Sequence, residues 1–132
     1  MKKKIKLKLG IIGCGRILKK HYEAISKIDK LEIIALCDID IKAFKKINYI
    51  NNFDKIKKYT NINIFLKNEK LDICVICTPS GLHPNHVNLA SKYVKNIILE
   101  KPMSTSLNRA YEIIKKTKKR KCNVFIVKQN RL

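Results

Sequence analysis

The sequence predicts an α/β domain built on a doubly wound, mostly parallel sheet. Three observations predict it. Strand-length apolar runs alternate with amphipathic segments from end to end. A glycine-rich turn, Gly13-Cys14-Gly15, directly follows the first apolar run. The tripeptide Glu100-Lys101-Pro102 directly follows a later run, Ile97-Ile98-Leu99, and so stands at a carboxyl edge of the kind where open α/β sheets bind ligands. At 132 residues the chain has room for one domain and one core.

Each element has its own local signal. Leu7 to Ile12 reads as the first strand. Arg16 to about Ile28 reads as a helix, with Ile17, His21, Ala24, Ile25 and Ile28 on one stripe. Leu31 to Cys37, rich in Ile and Leu, is the second strand. Asp40 to about Ile50 follows as a helix, with Asp40 as its cap. Asp54 to Tyr59 is a third, weakly patterned strand, and Thr60 or Asn61 caps a short helical turn through Leu66. Asp72 to Cys77 reads as the fourth strand, buried on both faces. Pro84 suits the first turn of a helix running to about Tyr93. Ile97 to Leu99 is the fifth strand, and Pro102 stops it. Thr105 or Ser106 caps a helix to about Lys118, and Asn123 to Val127 is the sixth strand. Right-handed crossovers between six such strands predict the order 3-2-1-4-5-6.

The formal charge of +20 invites a nucleic-acid reading. Lysine supplies 26 of the 30 basic residues, however, and arginine only 4. Nucleic-acid sites lean on arginine for bidentate phosphate and base contacts. Lysine, isoleucine and asparagine are abundant together, which fits a compositional bias expressed on exposed positions, so no specific nucleic-acid partner is expected. No apolar run approaches the ~18–20 residues of a membrane span, and the basic start lacks the apolar stretch of a signal peptide. No membrane partner is expected, and the expected location is the cytoplasm. The five cysteines are then free thiols. Cys74 and Cys77 have a metal-like spacing, but within a strand residues three apart point to opposite faces, so both read as small buried residues.

Four constellations carry chemistry. In Gly13-Cys14-Gly15-Arg16-Ile17-Leu18 the glycines allow a tight turn and the close approach of a pyrophosphate to a helix N-terminus. Leu18 stands where a small residue normally lets helix and strand pack closely. A generic strand-to-helix turn is the alternative. Asp38 follows the second strand, some 20 residues on, where an acid can bind ribose hydroxyls and repel a 2′-phosphate. That favours NAD over NADP; the alternative is that Asp38 and Asp40 only cap the next helix. The loop Thr78-Pro79-Ser80-Gly81-Leu82-His83 follows the buried strand and can line the ribose and nicotinamide. His83 and His86 have a ligand-like spacing but no further ligands nearby, so no metal site is expected. Lys101 can donate a hydrogen bond to a substrate hydroxyl or assist proton transfer; the alternative is one more solvated lysine.

Taken in order, Gly10 to Ile17, Cys37-Asp38, Thr78 to His83 and Glu100-Lys101-Pro102-Met103 resemble the N-terminal domain of the Gfo/Idh/MocA oxidoreductase family. Within it, Val127-Lys128-Gln129-Asn130-Arg131 resembles the enzymes that oxidise UDP-linked N-acetylamino-hexuronic acids at the sugar 3-position. The resemblance implies a Rossmann fold and hydride transfer between nicotinamide and a sugar or sugar-nucleotide. It implies that Gly13, Gly15, Arg16 and Ile17 face the pyrophosphate and that Asp38 faces the ribose. Thr78, Pro79 and His83 would lie along the nicotinamide half. Glu100 and Lys101 would meet the cofactor, Lys101 as the catalytic group, with Gln129 beside the nicotinamide and Asn130 and Arg131 on the substrate side. Residues 1–132 would be the dinucleotide-binding domain alone. Family members continue into a second α/β domain that carries catalytic residues, most of the substrate pocket and the surface of homo-oligomerisation. A fragment, a truncated reading frame and a stand-alone nucleotide-binding module all fit that expectation.

Overall fold

The strands are β1 (Leu7–Ile12), β2 (Leu31–Cys37), β3 (Lys57–Tyr59), β4 (Ile73–Ile76), β5 (Asn96–Leu99) and β6 (Asn123–Ile126). They form one sheet in the order β3-β2-β1-β4-β5-β6, and every pairing is parallel. The computed structural model describes residues 4–128. Five helices connect the strands: α1 (Leu18–Ser26), α2 (Lys42–Lys45), α3 (Ile62–Asn68), α4 (His83–Ala90) and α5 (Leu107–Lys119). The winding reverses between β1 and β4, which are neighbours in space but far apart in sequence. A crevice opens outside the carboxyl ends of strands at such a reversal. Among the described residues, no helix is long and apolar enough to cross a membrane.

Strand alternation divides the core between the two faces of the sheet. Leu9, Ile11, Leu36 and Val75 pack under α1 and α2 with Leu18, Ile25 and Phe44. Ile12, Ala35, Cys74, Ile76, Ile97 and Leu99 pack on the opposite face with Phe65, Val87 and Ile113. Cys74 joins one cluster and Cys77 borders the other, as expected for residues three apart in a strand.

Two helices differ from expectation. α1 buries Leu18 and Ile25 and half-buries His21 and Tyr22, while Ala24 and Ile28 are exposed. The buried stripe is thus rotated by about one residue, and Leu18 is its anchor. Full burial of that leucine is worth about 1.5–3 kcal/mol. The second helix is a single turn, Lys42–Lys45, rather than a run to Ile50. Asn52 takes a left-handed conformation (φ 57°), and the backbone N–H of Asn51 donates to Tyr22 Oη at 3.0 Å. Ile47 and Ile50 reach the core from this irregular segment, so the asparagines win locally without loss of burial.

Caps mark the other starts. Asn61 Oδ1 accepts from the N–H groups of Asn63 and Ile64 at 2.9 and 3.1 Å and caps α3. Ser106 Oγ accepts from Arg109 N at a long 3.5 Å at the start of α5. α5 closes in a Schellman arrangement: Cys122 N donates to Thr117 O, Lys121 N donates to Lys118 O, and Lys121 is left-handed (φ 55°).

Candidate functional site

The turn after β1 is built around Gly13. Its φ is +94°, and its N–H donates to Cys37 O at 2.8 Å. A Cβ there would lie 2.7 Å from the Cys77 carbonyl carbon and 2.8 Å from both Cys77 O and Thr78 N. All three are backbone atoms at the end of β4, so glycine is required by dihedral and by space. Gly15 is the opposite case. No atom of the described residues lies within 4 Å of its absent Cβ, so none of them makes a side chain costly there. α1 begins just beyond with no side-chain cap and no acidic residue in its first turn. Leu18 N and Lys20 N already donate to Gly15 O and Ile17 O, so the N–H groups of the turn leading into the helix, together with the positive end of its dipole, are what face an anion. Ile17 is half-buried at the N-cap, Arg16 is exposed, and Arg16, Lys19 and Lys46 border a hollow of ≈ 380 Å³ on the α1–α2 side.

Asp38 and Asp40 divide the roles left open by the sequence. Asp40 Oδ1 accepts from Lys42 N at 2.9 Å and opens α2. Asp38 instead accepts from Cys14 N through Oδ2 at 2.8 Å and from Asp40 N through Oδ1 at 2.9 Å. It ties the glycine turn to the end of β2. Both of its oxygens keep a lone pair. They border a cleft of ≈ 500 Å³ whose lining includes Gly13, Gly15, Ile39, Ile62, Thr78, Pro79, Leu82 and His86. The walls are largely apolar, with few polar groups converging, as ligand clefts commonly are.

The loop after β4 puts Thr78 and Pro79 on this cleft. Thr78 Oγ1 lies 2.8 Å from His86 Nδ1. Burial pushes the His86 imidazole below its ordinary range, and neighbouring His83 adds to the shift. His83 is only 1% exposed. Its Nδ1 lies 2.7 Å from Pro102 O and its Nε2 2.7 Å from Thr78 O. It therefore contributes through the two backbone stretches that it joins.

Glu100 follows β5 and is 8% exposed. His21 Nε2 donates to Glu100 Oε1 at 2.7 Å, and Lys101 N donates to Glu100 Oε2 at 3.2 Å. Lys101 is exposed, and its peptide bond to Pro102 is cis. Gln129, Asn130 and Arg131 lie outside the described residues.

Burial keeps the cysteines as neutral thiols. It pushes Cys37 up to about 11 and Cys77 up to about 12, and raises Cys14 and Cys74 as well. Among the described residues, no three His, Cys, Asp or Glu side chains converge as metal ligands.

The sequence places His21 only on a helix stripe and His86 only in a ligand-like spacing. The available signal for His21 was a polar residue on the buried side of the helix that leaves the glycine turn. Its pairing with Glu100, 79 positions away, carries no local signal.

Comparison with known proteins agrees with this geometry. The model of the oxidoreductase family with an NAD-binding Rossmann fold (Gfo/Idh/MocA) matches residues 7–128. The uncharacterized oxidoreductase YrbE of Bacillus subtilis is 32% identical over 110 residues, which cover 83% of this chain and 32% of that protein. The myo-inositol 2-dehydrogenase of Thermotoga maritima is 26% identical over 113 residues, covering 86% and 33%. The chain thus spans about a third of the length of these curated relatives. Among solved structures, the WlbA dehydrogenase of Chromobacterium violaceum, in complex with NADH and UDP-GlcNAcA, superposes with a TM-score of 0.87 at 33% identity, over 99% of this chain and 37% of that one. The WlbA dehydrogenase of Bordetella pertussis, with the same two ligands, gives 0.87 at 30% identity, over 96% and 38%. With its six-stranded parallel sheet, its glycine turn and a family match over nearly its whole length, this chain belongs to the Gfo/Idh/MocA oxidoreductase family, as its NAD-binding Rossmann domain.

Proposed function

We propose that this chain is the cofactor half of a sugar or sugar-nucleotide dehydrogenase. The observation that carries the reading is one juxtaposition: the open space over Gly15, which leads into an uncapped helix, meets the Asp38 carboxylate at one cleft. These residues fit a dinucleotide. The N–H groups of the turn into α1 donate to its pyrophosphate, and the missing Cβ of Gly15 lets that group approach. The free lone pairs of Asp38 accept from the adenosine ribose hydroxyls. Thr78 and Pro79 line the path toward the nicotinamide end.

When bound, NAD supplies hydride exchange with a ring carbon of the sugar. Lys101 projects from the carboxyl edge of the sheet and donates a hydrogen bond to the hydroxyl whose proton leaves, which makes it the chain's catalytic group. Glu100, enclosed and hydrogen-bonded to the His21 imidazole and to the Lys101 N–H, meets the cofactor side of the site through the lysine backbone that it holds. A UDP-linked amino-hexuronic acid is the favoured substrate. Its support is the likeness to two dehydrogenases crystallised with NADH and UDP-GlcNAcA, together with the run Val127 to Arg131. Gln129, Asn130 and Arg131 are proposed on the nicotinamide and substrate side. NAD is preferred over NADP, because Asp38 repels a 2′-phosphate and the next residue, Ile39, is an exposed aliphatic that offers it no cation.

The test is titration calorimetry of the chain with NADH and NADPH, repeated on Asp38→Ala. NADH is expected to bind more tightly than NADPH, and the substitution to weaken NADH binding by about tenfold or more, the loss of a hydrogen bond to a charged group. Equal NADH affinity in both proteins would remove Asp38 from the site, and tighter NADPH binding would reverse the cofactor assignment.

A further inference from the structure

We infer that His21 is a positioning residue for Lys101 and acts through Glu100. The inference rests on the reading that Lys101 stands at the nicotinamide end of the cofactor site.

Glu100 is almost enclosed, and a buried carboxylate is costly unless it is paired and hydrogen-bonded. Among the described residues its side-chain partner is His21, at 2.7 Å. The chain has 26 lysines, yet the group that reaches this carboxylate is an imidazole from α1. The second carboxylate oxygen accepts from the backbone N–H of Lys101. A continuous path therefore runs from α1 through His21 and Glu100 to the backbone from which the lysine springs. α1 is the helix whose start faces the glycine turn, and Leu18 and Ile25 anchor it in the core. On the other side of the turn, His83 of α4 lies 2.7 Å from Pro102 O. Helices on opposite faces of the sheet thus hold the residues on either side of Lys101.

None of these contacts uses the lysine ammonium, which makes no ion pair among the described residues. Their effect falls on where that ammonium can go. A backbone tilt of roughly 10° moves the tip of a lysine by about 1 Å, a displacement large enough to matter at a reacting group. A buried polar pair is weak as a source of stability when compared with an apolar pair of similar shape. Fixed geometry is what this pair adds.

Two measurements on the chain as it stands test the inference. The first is amide-hydrogen exchange at Lys101 without ligand. His21→Ala is expected to speed exchange there by about tenfold, the loss of one charge-assisted bracing bond. His21→Gln, whose amide nitrogen overlays Nε2, is expected to restore slow exchange. The second compares the affinity for NADH with that for ADP-ribose, which lacks the nicotinamide. Lys101→Ala and His21→Ala are both expected to weaken NADH by about tenfold relative to ADP-ribose, and His21→Gln to weaken it far less. A purely structural role would loosen both ligands alike. Unchanged exchange at Lys101, or equal losses for the two ligands, overturns the inference. If wild-type chain binds neither ligand, the cofactor reading fails, and the exchange measurement still decides the bracing. Should His21→Ala not fold, His21→Leu fills the space without a donor and is read in the same way.

Discussion

Gly13 and Gly15 sit two residues apart in one turn, and alanine at each should fail in a different way. At Gly13 the cost is internal. A non-glycine residue in the left-handed region costs about 1–2 kcal/mol. Its Cβ would also sit 2.7–2.8 Å from the backbone of Cys77 and Thr78, and forcing such a contact apart costs about 1–3 kcal/mol. Gly13→Ala should therefore lose about 2–5 kcal/mol, a large part of the 5–15 kcal/mol typical of a domain and roughly 7–18 °C in Tm at this length. At Gly15 no atom of the described residues lies within 4 Å of the added methyl, and no left-handed φ is involved. Gly15→Ala should stay within about 0.5 kcal/mol of wild type in stability. The methyl does occupy the space through which the pyrophosphate must approach. At about 1–3 kcal/mol for such crowding, NADH affinity should fall roughly 5- to 150-fold. Urea denaturation gives the first quantity and titration calorimetry the second. A Gly13→Ala protein as stable as wild type would mean that the β1–β4 crevice relaxes freely. A Gly15→Ala protein that binds NADH normally would mean that the pyrophosphate does not pass over this residue.

Three further outcomes follow from the local geometry. His86 has a folded-state pKa below its ordinary 6.5, so its contribution to stability is complete above that value and is lost as pH falls through the folded-state value. Between about pH 7 and about pH 5, His86→Gln should therefore lose less Tm than wild type, and a parallel decline in the two proteins would refute the assignment. Lys121→Gly relieves a left-handed lysine at the end of α5 and should add about 1 kcal/mol, or roughly 3–5 °C in Tm; a lower Tm would count against the Schellman geometry. Asn61→Ala removes a cap that accepts two short hydrogen bonds and should cost about 1 kcal/mol. Ser106→Ala, with one bond of 3.5 Å, should cost clearly less in the same chemical denaturation series.

Asp38 limits how the cofactor test is read. Its carboxylate holds Cys14 N and Asp40 N as well as facing the cleft. Asp38→Ala therefore loosens the glycine turn along with removing an acceptor for the ribose. The NADH-to-NADPH ratio separates the two effects. A loosened turn weakens both cofactors equally, whereas the lost charge favours the one with the extra phosphate.

The sheet and the place of the crevice were legible in the order of the residues alone. Apolar runs bounded by turn residues located β1 and β2 to the residue, and the strand order followed from right-handed crossovers. Gly13 was legible because a left-handed turn after a strand leaves almost no other choice. Asp38 was legible because it ends a strand beside that turn. These signals are local, so they survive in a one-dimensional reading. The rotated stripe of α1 was decided in three dimensions, because Leu18 finds space in the core that its position in the glycine pattern argued against. The stub of α2 was decided by where Asn51 and Asn52 meet Tyr22 and the sheet. The pairing of His21 with Glu100, and the burial of His83 between two carbonyls, join residues from separate elements. No periodicity encodes such contacts. They exist only once the sheet has brought the ends of β1, β4 and β5 side by side, where a carboxylate excluded from water takes the nearest donor that the packing allows.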